Sequence, residues 1–333
     1  MEISVLGSGA WGTALANLLC ENGHAVTLWN RSAQRAWEMQ RSRINPRLKG
    51  VALHERLQIS AELSCVKDSA MVVFATPSFA IRETAALAKP LLRRDALLVS
   101  VTKGIEAGTG LRMTQIIGQE TGRAAAALSG PSHAEEVSRN IPTGCVAACA
   151  EIAVAEQIQD TFMNDNFRVY ASTDVVGVEL SAAMKNVIAL CAGICDGLGL
   201  GDNTKALLVT RGLTELARLG IALGGRQETF AGLAGVGDMI VTCTSMHSRN
   251  RQAGILIGQG VPVDRAMEQV GAVVEGYYAA RSAHELAEKV GVEMPIAREA
   301  YAVLYEGKHP SETIHSLMGR DKKHEFEDAS WIK

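Results

Sequence analysis

The chain has 333 residues, 47% apolar and 21% charged, a balance that suits a soluble globular protein of roughly two domains with a large core. Its formal charge of −3 argues against nucleic acid or an anionic membrane as the main partner, though a local basic patch could still hold a small anion. The seven cysteines (Cys20, Cys65, Cys145, Cys149, Cys191, Cys195, Cys243) are odd in number and form no C-x-x-C pair, so they read as small buried hydrophobes of a reducing compartment, not as a disulfide or zinc framework.

The chain opens directly on a strand-like run, Glu2-Ile-Ser-Val-Leu6, which leaves no room for a signal peptide. No uninterrupted apolar stretch reads as long enough to span a bilayer, so a cytoplasmic protein is expected. Next come Gly7-Ser-Gly9-Ala-Trp11-Gly12 and an Ala/Leu-rich helix from Thr13 to Asn22. Each glycine at G-x-G-x-x-G spacing has a job around a dinucleotide pyrophosphate. The first permits a tight turn, the second lets backbone approach the phosphates, and the third lets helix and strand pack closely. The helix start then offers free N–H groups to the diphosphate. The plain alternative is an ordinary βα turn, but a strand before and a helix after favour the nucleotide site.

Further strand-length apolar runs follow at 25–29, 71–75, 97–101, 125–128, 144–148 and 168–171, separated by helical patterns such as 31–40, 80–92 and 152–163. Continuous apolar runs in βαβα order predict a doubly wound, Rossmann-like, mostly parallel sheet covered on both faces. Beyond about Asp174 the texture changes to successive helical patterns at 175–194, 205–223, 249–257, 264–269, 280–290 and 296–305. The expectation is a dinucleotide-binding domain over 1–173 and an all-α substrate and catalytic domain over 174–333. The charged stretch from Asp321 to Lys333 reads as a frayed or wrapping tail.

Ligands of an open α/β sheet sit beyond the carboxyl ends of its strands. The segments there are the glycine loop, Thr76-Pro77-Ser78, Thr102-Lys103-Gly104 and Ser129-Gly130-Pro131-Ser132-His133. Loops are polar in any case, but Lys103 beside a glycine on that crest suits an anion or a proton transfer. Lys185 lies in a helix apolar on nearly every face, so it should be buried, with a pKa that falls readily into the range of a general acid or base. It could instead snorkel, pair with Glu179, or join Asn186 in a structural hydrogen-bond pair. Asp238 closes a glycine-dense segment, Phe230 to Gly237, and would share a helix face with Thr242; a simple N-cap aspartate is the alternative. His247-Ser248-Arg249-Asn250-Arg251 gathers donors suited to a phosphate, or is a solvated basic helix start. No metal-ligand spacing and no nucleophile elbow are present. A dinucleotide fold, a buried lysine and an anion-binding arginine together describe hydride transfer on a small phosphorylated alcohol or ketone.

With these residues in view, the chain resembles the bacterial-type NAD(P)-dependent glycerol-3-phosphate dehydrogenases. The matching segments are Gly7 to Ala16, Thr102 to Glu106, Ser129 to Ser132, Lys185 to Ala189, Gly235 to Asp238, Ser248 to Arg251 and Val274 to Tyr277, in the family's order and across almost the whole chain. The resemblance implies that Lys185 exchanges the proton of the C2 hydroxyl, with Lys103, Asp238 and Thr242 completing the polar site. It implies that Arg249 and Asn250 hold the substrate phosphate, with Gly130, Ser132, Asn186 and Ser248 also lining the substrate site. Cofactor contacts fall on Gly7, Gly9, Ala10, Trp11, Gly12, Arg31, Lys103, Ala134, Arg249, Val273 and Glu275. A homodimer, a role in supplying glycerol 3-phosphate for phospholipid synthesis, and no metal are further implications. One departure shows: members often carry Asn then Tyr-Leu-Pro after the second helix, where this chain reads Asn45-Pro-Arg-Leu-Lys-Gly50.

Two rivals remain. A β-hydroxyacid dehydrogenase also uses a lysine, but usually separates it from the asparagine and needs a carboxylate site instead of Arg249 and Asn250. A non-catalytic NADP(H) sensor would not need a buried lysine and a phosphate clamp together. The second strand ends Leu28-Trp29-Asn30-Arg31 without the acid that NAD-specific proteins place on the ribose 2′-hydroxyl. NADPH is therefore expected to be preferred, with NADH the alternative cofactor.

Overall fold

The computed structural model describes residues 1–322, 324 and 325, so most of the charged tail lies outside the described residues. Among these, an eight-stranded sheet runs β3-β2-β1-β4-β5-β6-β7-β8. The strands are β1 (Glu2–Leu6), β2 (Ala25–Trp29), β3 (Gln58–Ser60), β4 (Met71–Phe74), β5 (Leu97–Ser100), β6 (Ala126–Ser129), β7 (Thr143–Ala148) and β8 (Phe167–Ser172). All neighbours pair parallel except β6 and β7. Strand order reverses between β1 and β4, the switch point at which an open α/β sheet forms its ligand crevice.

The apolar runs form the strands expected of them. The unexpected strand is β3, a three-residue edge element with no apolar run to announce it. The helices of this half are α1 (Ala10–Glu21), α2 (Ala33–Ser42), α3 (Ile81–Ala88), α4 (Met113–Thr121), α5 (Ala134–Val137) and α6 (Ile152–Phe162). Ser32 caps α2, its hydroxyl accepting the Arg35 N–H, so that helix starts two residues later than its periodicity suggests and leaves Arg31 in the preceding turn. The pattern over 80–92 is broken: α3 stops at Ala88 and a 3₁₀ turn over Lys89–Leu91 carries Pro90, which cannot continue the helix.

The second half consists of α7 (Val175–Gly197), α8 (Asp202–Ala222), α9 (Gln227–Ala231), α10 (Asp238–Thr244), α11 (Arg249–Gly258), α12 (Val263–Val270), α13 (Glu275–Val290), α14 (Pro295–Tyr305) and α15 (Pro310–Met318). Its axis is α7, which packs against α8, α10, α11 and α13. By length and composition α7 could cross a membrane, contrary to the expectation that no stretch is long enough. It is instead the buried core of the helical half, and its apolar residues face neighbouring helices. Glycine brings α11 unusually close: a Cβ on Gly254 would strike the Leu190 carbonyl, and one on Gly193 the Arg251 carbonyl. That contact seats the start of α11 beside the middle of α7, where Lys185 and Asn186 lie.

Buried Glu179 of α7 joins the two halves. Its carboxylate accepts the Thr114 N–H at 2.8 Å and the Thr114 hydroxyl at 2.5 Å, and pairs with Arg112, all at the start of α4. A carboxylate at a helix N-terminus is favourably placed against the macrodipole. Glu179 is thus committed elsewhere and is not the partner of Lys185.

Candidate active site

The glycine loop is shaped by steric demand. Gly7 has φ +120°, and a Cβ there would lie 2.7 Å from the Ala75 carbonyl carbon; a Cβ on Gly12 would collide with the Gly7 carbonyl. A Cβ on Gly9 would meet no protein atom within 4 Å, so the space above Gly9 is open. Helix α1 starts at Ala10 with no side-chain cap, leaving its first N–H groups free for an anion. Two buried polar atoms on this crest, Trp11 Nε1 and Thr76 Oγ1, lack partners among the described residues. Open space over glycine, uncapped N–H groups and unpaired donors fit a dinucleotide. Arg31 is exposed at the end of β2, where no carboxylate stands. Ala134 opens α5 on the same crest, while Val273 and Glu275 stand at the start of α13 on the helical side.

The loop that departs from the family pattern supports this turn. Buried Asn45 donates to the Ser8 carbonyl at 3.0 Å and to the Thr13 hydroxyl at 2.6 Å. This role escaped the sequence reading, because nothing local ties residue 45 to residue 8.

Across the crevice, α10 is preceded by a π-helical turn over Leu233–Gly237. The glycines allow it; a Cβ on Gly235 would run into the Phe230 backbone. This wide turn buries Asp238 at the first position of α10, and its carboxylate turns away from capping to accept from two lysines. Lys185 Nζ donates to Asp238 Oδ1 and to the Thr242 hydroxyl, the latter at 2.6 Å. Lys103 Nζ donates to Asp238 Oδ2 at 2.8 Å and to the Gly130 carbonyl at 2.9 Å. Thr242 donates to the Asp238 carbonyl one turn back, and the Ser132 hydroxyl donates to the same Gly130 carbonyl.

Only 4% of Lys185 and 1% of Asp238 is exposed. Burial drives the Lys185 pKa down to about 7 against the pull of the Asp238 carboxylate, and Lys103 adds to the decrease. Burial alone would raise the Asp238 carboxyl, but the two ammonium groups outweigh it and hold the group below its ordinary range. The result is a lysine that can gain or lose a proton near neutrality beside a carboxylate that stays ionised.

At the far end of this site, Asn186 Oδ1 accepts from Asn250 Nδ2 at 2.9 Å, and Asn250 Oδ1 accepts the Gly276 N–H at 2.8 Å. The Asn250 side chain is therefore engaged with α7 and α13. What it offers an anion is its backbone N–H in the first turn of α11. Ser248 caps that helix through its hydroxyl, and Arg249 is exposed at the first position. Arg251, from the same basic stretch, pairs with Asp196 instead. His133 packs its ring 5.9 Å from that of His247, and its buried Nε2 has no partner among the described residues. Burial, with Lys185 and Lys103 nearby, lowers its pKa.

A doubly wound sheet with a glycine cradle at its switch point, faced by a buried lysine–carboxylate pair on a helical half, is the architecture of a nicotinamide-dinucleotide oxidoreductase. Residues 2–155 match the model of the NAD-dependent glycerol-3-phosphate dehydrogenase N-terminus and residues 174–315 that of its C-terminus. The glycerol-3-phosphate dehydrogenase [NAD(P)+] of Thermoanaerobacter sp. (strain X514) is 51% identical over 98% of this chain and 99% of that one. Its counterpart from Geobacillus thermodenitrificans is 50% identical over 98% and 97%. The crystal structure of glycerol-3-phosphate dehydrogenase from Coxiella burnetii superposes with a TM-score of 0.92 at 37% identity, covering 96% of this chain and 99% of that one. The chain belongs to the NAD-dependent glycerol-3-phosphate dehydrogenase family.

Proposed function

We propose that the protein reversibly reduces dihydroxyacetone phosphate to sn-glycerol 3-phosphate, with NADPH as preferred reductant and NADH as the alternative. In this reading the sheet half, 1–173, holds the dinucleotide and the helical half, 174–333, holds the substrate and the proton-transfer group. The glycine loop, Trp11, Ala134, Val273 and Glu275 contact the cofactor, with Arg31 beside the ribose 2′-phosphate. The substrate phosphate lies against Arg249 and the first N–H groups of α11, flanked by Ser248, Gly130 and Ser132.

When bound, the reduced nicotinamide supplies a hydride to C2. Lys185 gives its proton to the carbonyl oxygen, so the ketone gains one hydride and one proton and becomes a secondary alcohol. In the oxidative direction neutral Lys185 takes the hydroxyl proton. Asp238 holds the Lys185 nitrogen in place in both directions, Lys103 orients that carboxylate, and the Thr242 hydroxyl accepts from Lys185. The carrying observation is the Lys185–Asp238–Lys103 cluster itself: two cations converge on one buried carboxylate beside the cofactor crest. The same reading makes the protein a cytoplasmic homodimer that supplies glycerol 3-phosphate for phospholipid synthesis.

Mixing purified protein, NADPH and dihydroxyacetone phosphate should deplete the nicotinamide absorbance band. No depletion despite confirmed NADPH binding would overturn the assignment and favour a sensor. Turnover of a β-hydroxyacid with NADP⁺ and none of the phosphotriose would favour the other dehydrogenase class. The structure weighs against that class, since Asn186 adjoins Lys185 and reaches across to Asn250 at the start of α11.

A further inference from the structure

Ser78 sits in the turn that follows β4, buried on the crest of the sheet half. Its N–H and its hydroxyl both donate to the carboxylate of Glu275, at 3.2 Å to Oε1 and 2.7 Å to Oε2. Glu275 is the first residue of α13, in the other half of the molecule. Its carboxylate therefore reaches across the cleft. Room for the contact comes from Gly104, the neighbour of Lys103, where a Cβ would stand 2.5 Å from Ser78 Cβ and 3.4 Å from Glu275 Oε2. On the other side, the Gly276 N–H is held by Asn250, and Asn250 by Asn186, next to Lys185. A Cβ on Gly276 would press on the Asn186 carbonyl, so α13 starts in direct contact with α7. A continuous run of bonded groups thus leads from the crest loop of the sheet, through the first turn of α13, to the neighbour of Lys185.

We propose that Ser78 is a positioning residue: its two bonds to Glu275 latch the cofactor crest to the start of α13 and hold the cleft closed on both ligands. The inference rests on the function proposed above. Charge-assisted bonds to a half-buried carboxylate are among the stronger hydrogen bonds, and these two join the halves at the cofactor crest, apart from the Glu179 contacts with α4 and the Lys103–Asp238 pair. Lys185 and Asp238 lie outside the latch, so its loss should leave the proton-transfer chemistry intact. A ligand that needs the closed form binds more weakly in proportion to the lost closed population.

The test is a double-mutant cycle of S78A, E275A and the double variant. NADPH affinity is read by calorimetric titration and dihydroxyacetone phosphate turnover by steady-state kinetics. S78A should weaken NADPH binding and raise KM for the phosphotriose by about three- to tenfold each, with kcat within about twofold. S78A removes the hydroxyl bond and leaves the backbone one, whereas E275A removes both, so the double variant should be no weaker than E275A alone. A lower unfolding midpoint with unchanged NADPH affinity and KM would reduce Ser78 to a structural residue and overturn the latch. So would effects of S78A and E275A that multiply. If S78A does not fold, S78C takes its place in the cycle, since Glu275 is itself a cofactor contact, and an unchanged KM with unchanged NADPH affinity there overturns the proposal. If the wild type binds NADPH but leaves the phosphotriose unreduced, it is the function reading that falls, and the cycle on NADPH affinity still decides the latch.

Discussion

Around Gly7 to Gly12 the cleft wall is mostly backbone: side chains are absent at the glycines where a ligand must approach, and the groups on offer are N–H donors of a helix start and of the Trp11 ring. Around Lys185 the opposite wall is side chain. Two ammonium groups, a carboxylate, a hydroxyl and two amides are bonded mostly to one another inside an apolar helical core. The first wall works by shape and tolerates no added carbon at its tight points. The second works by electrostatics in a medium that does not screen, so its energies are large and its pKa values move. Substitutions on the two walls should therefore fail differently.

The largest effect belongs to the side-chain wall. Replacing Lys185 with Ala removes the proton donor, and kcat should fall by about a thousandfold, in the range typical of a lost general acid. NADPH affinity, measured by titration, should stay within about twofold. Near-normal turnover would break the comparison outright. The intact enzyme gives the same information through pH. With the Lys185 pKa at about 7, reduction, which needs the ammonium, should decline as pH rises above that value. Oxidation, which needs the amine, should rise through it to a plateau.

Asp238→Asn sharpens this point. The carboxylate raises the Lys185 pKa, so its loss should move both inflections to lower pH. Breaking a buried pair costs about 3–5 kcal/mol in typical cases. The sign follows from linkage: Lys185 binds its proton less readily folded than unfolded, so each fall in pH through the range between the two pKa values lowers stability. The variant's unfolding midpoint should consequently lag wild type more at pH 6 than at pH 8. An equal deficit at both would mean that Asp238 acts through packing.

Arg249→Ala should follow in size, raising KM for dihydroxyacetone phosphate by about fiftyfold through loss of a charge-assisted phosphate contact, with the pH inflections unmoved.

The two walls also differed in how far they could be read from the chain. Glycine spacing, the strand before it and the helix after it are all local, so the backbone wall was legible, and so was the burial of Lys185 in an apolar helix. The partners were not. Glu179 was open as a mate for Lys185, and only the fold shows it turned toward α4. Asp238 reaches Lys185 because a π-helical turn precedes it, and no periodicity announces such a turn. Asn45 under the glycine loop and Ser78 on Glu275 are contacts between residues distant in sequence, invisible to any local pattern. The short edge strand β3, which has no apolar run, was missed for the related reason that tertiary contacts hold it.

Within the backbone wall, two glycines should separate shape from binding. Gly12→Ala pushes a carbon onto the Gly7 carbonyl and should lower stability by about 1–3 kcal/mol, as overpacking does. Gly9→Ala meets no protein atom, so its unfolding midpoint should match wild type while NADPH and NADH affinity both fall by about tenfold. Equal loss of stability in the two variants would remove the reason for assigning the space above Gly9 to a ligand.

The smallest effect tests where the two kinds of wall meet. Arg31 is a side chain on the backbone wall, exposed in the turn between β2 and α2, with no acid beside it to claim a ribose hydroxyl. Because it is exposed, its charge is screened and each contact to a 2′-phosphate is modest. Arg31→Ala should cost NADPH affinity about tenfold, near 1.4 kcal/mol, and leave NADH affinity unchanged. Raising the salt should shrink the difference between wild type and variant, since screening weakens an exposed contact far more than a buried one. A loss shared equally by NADH would place Arg31 among the residues that shape the crest, and cofactor preference would then have to come from the backbone geometry of the turn itself.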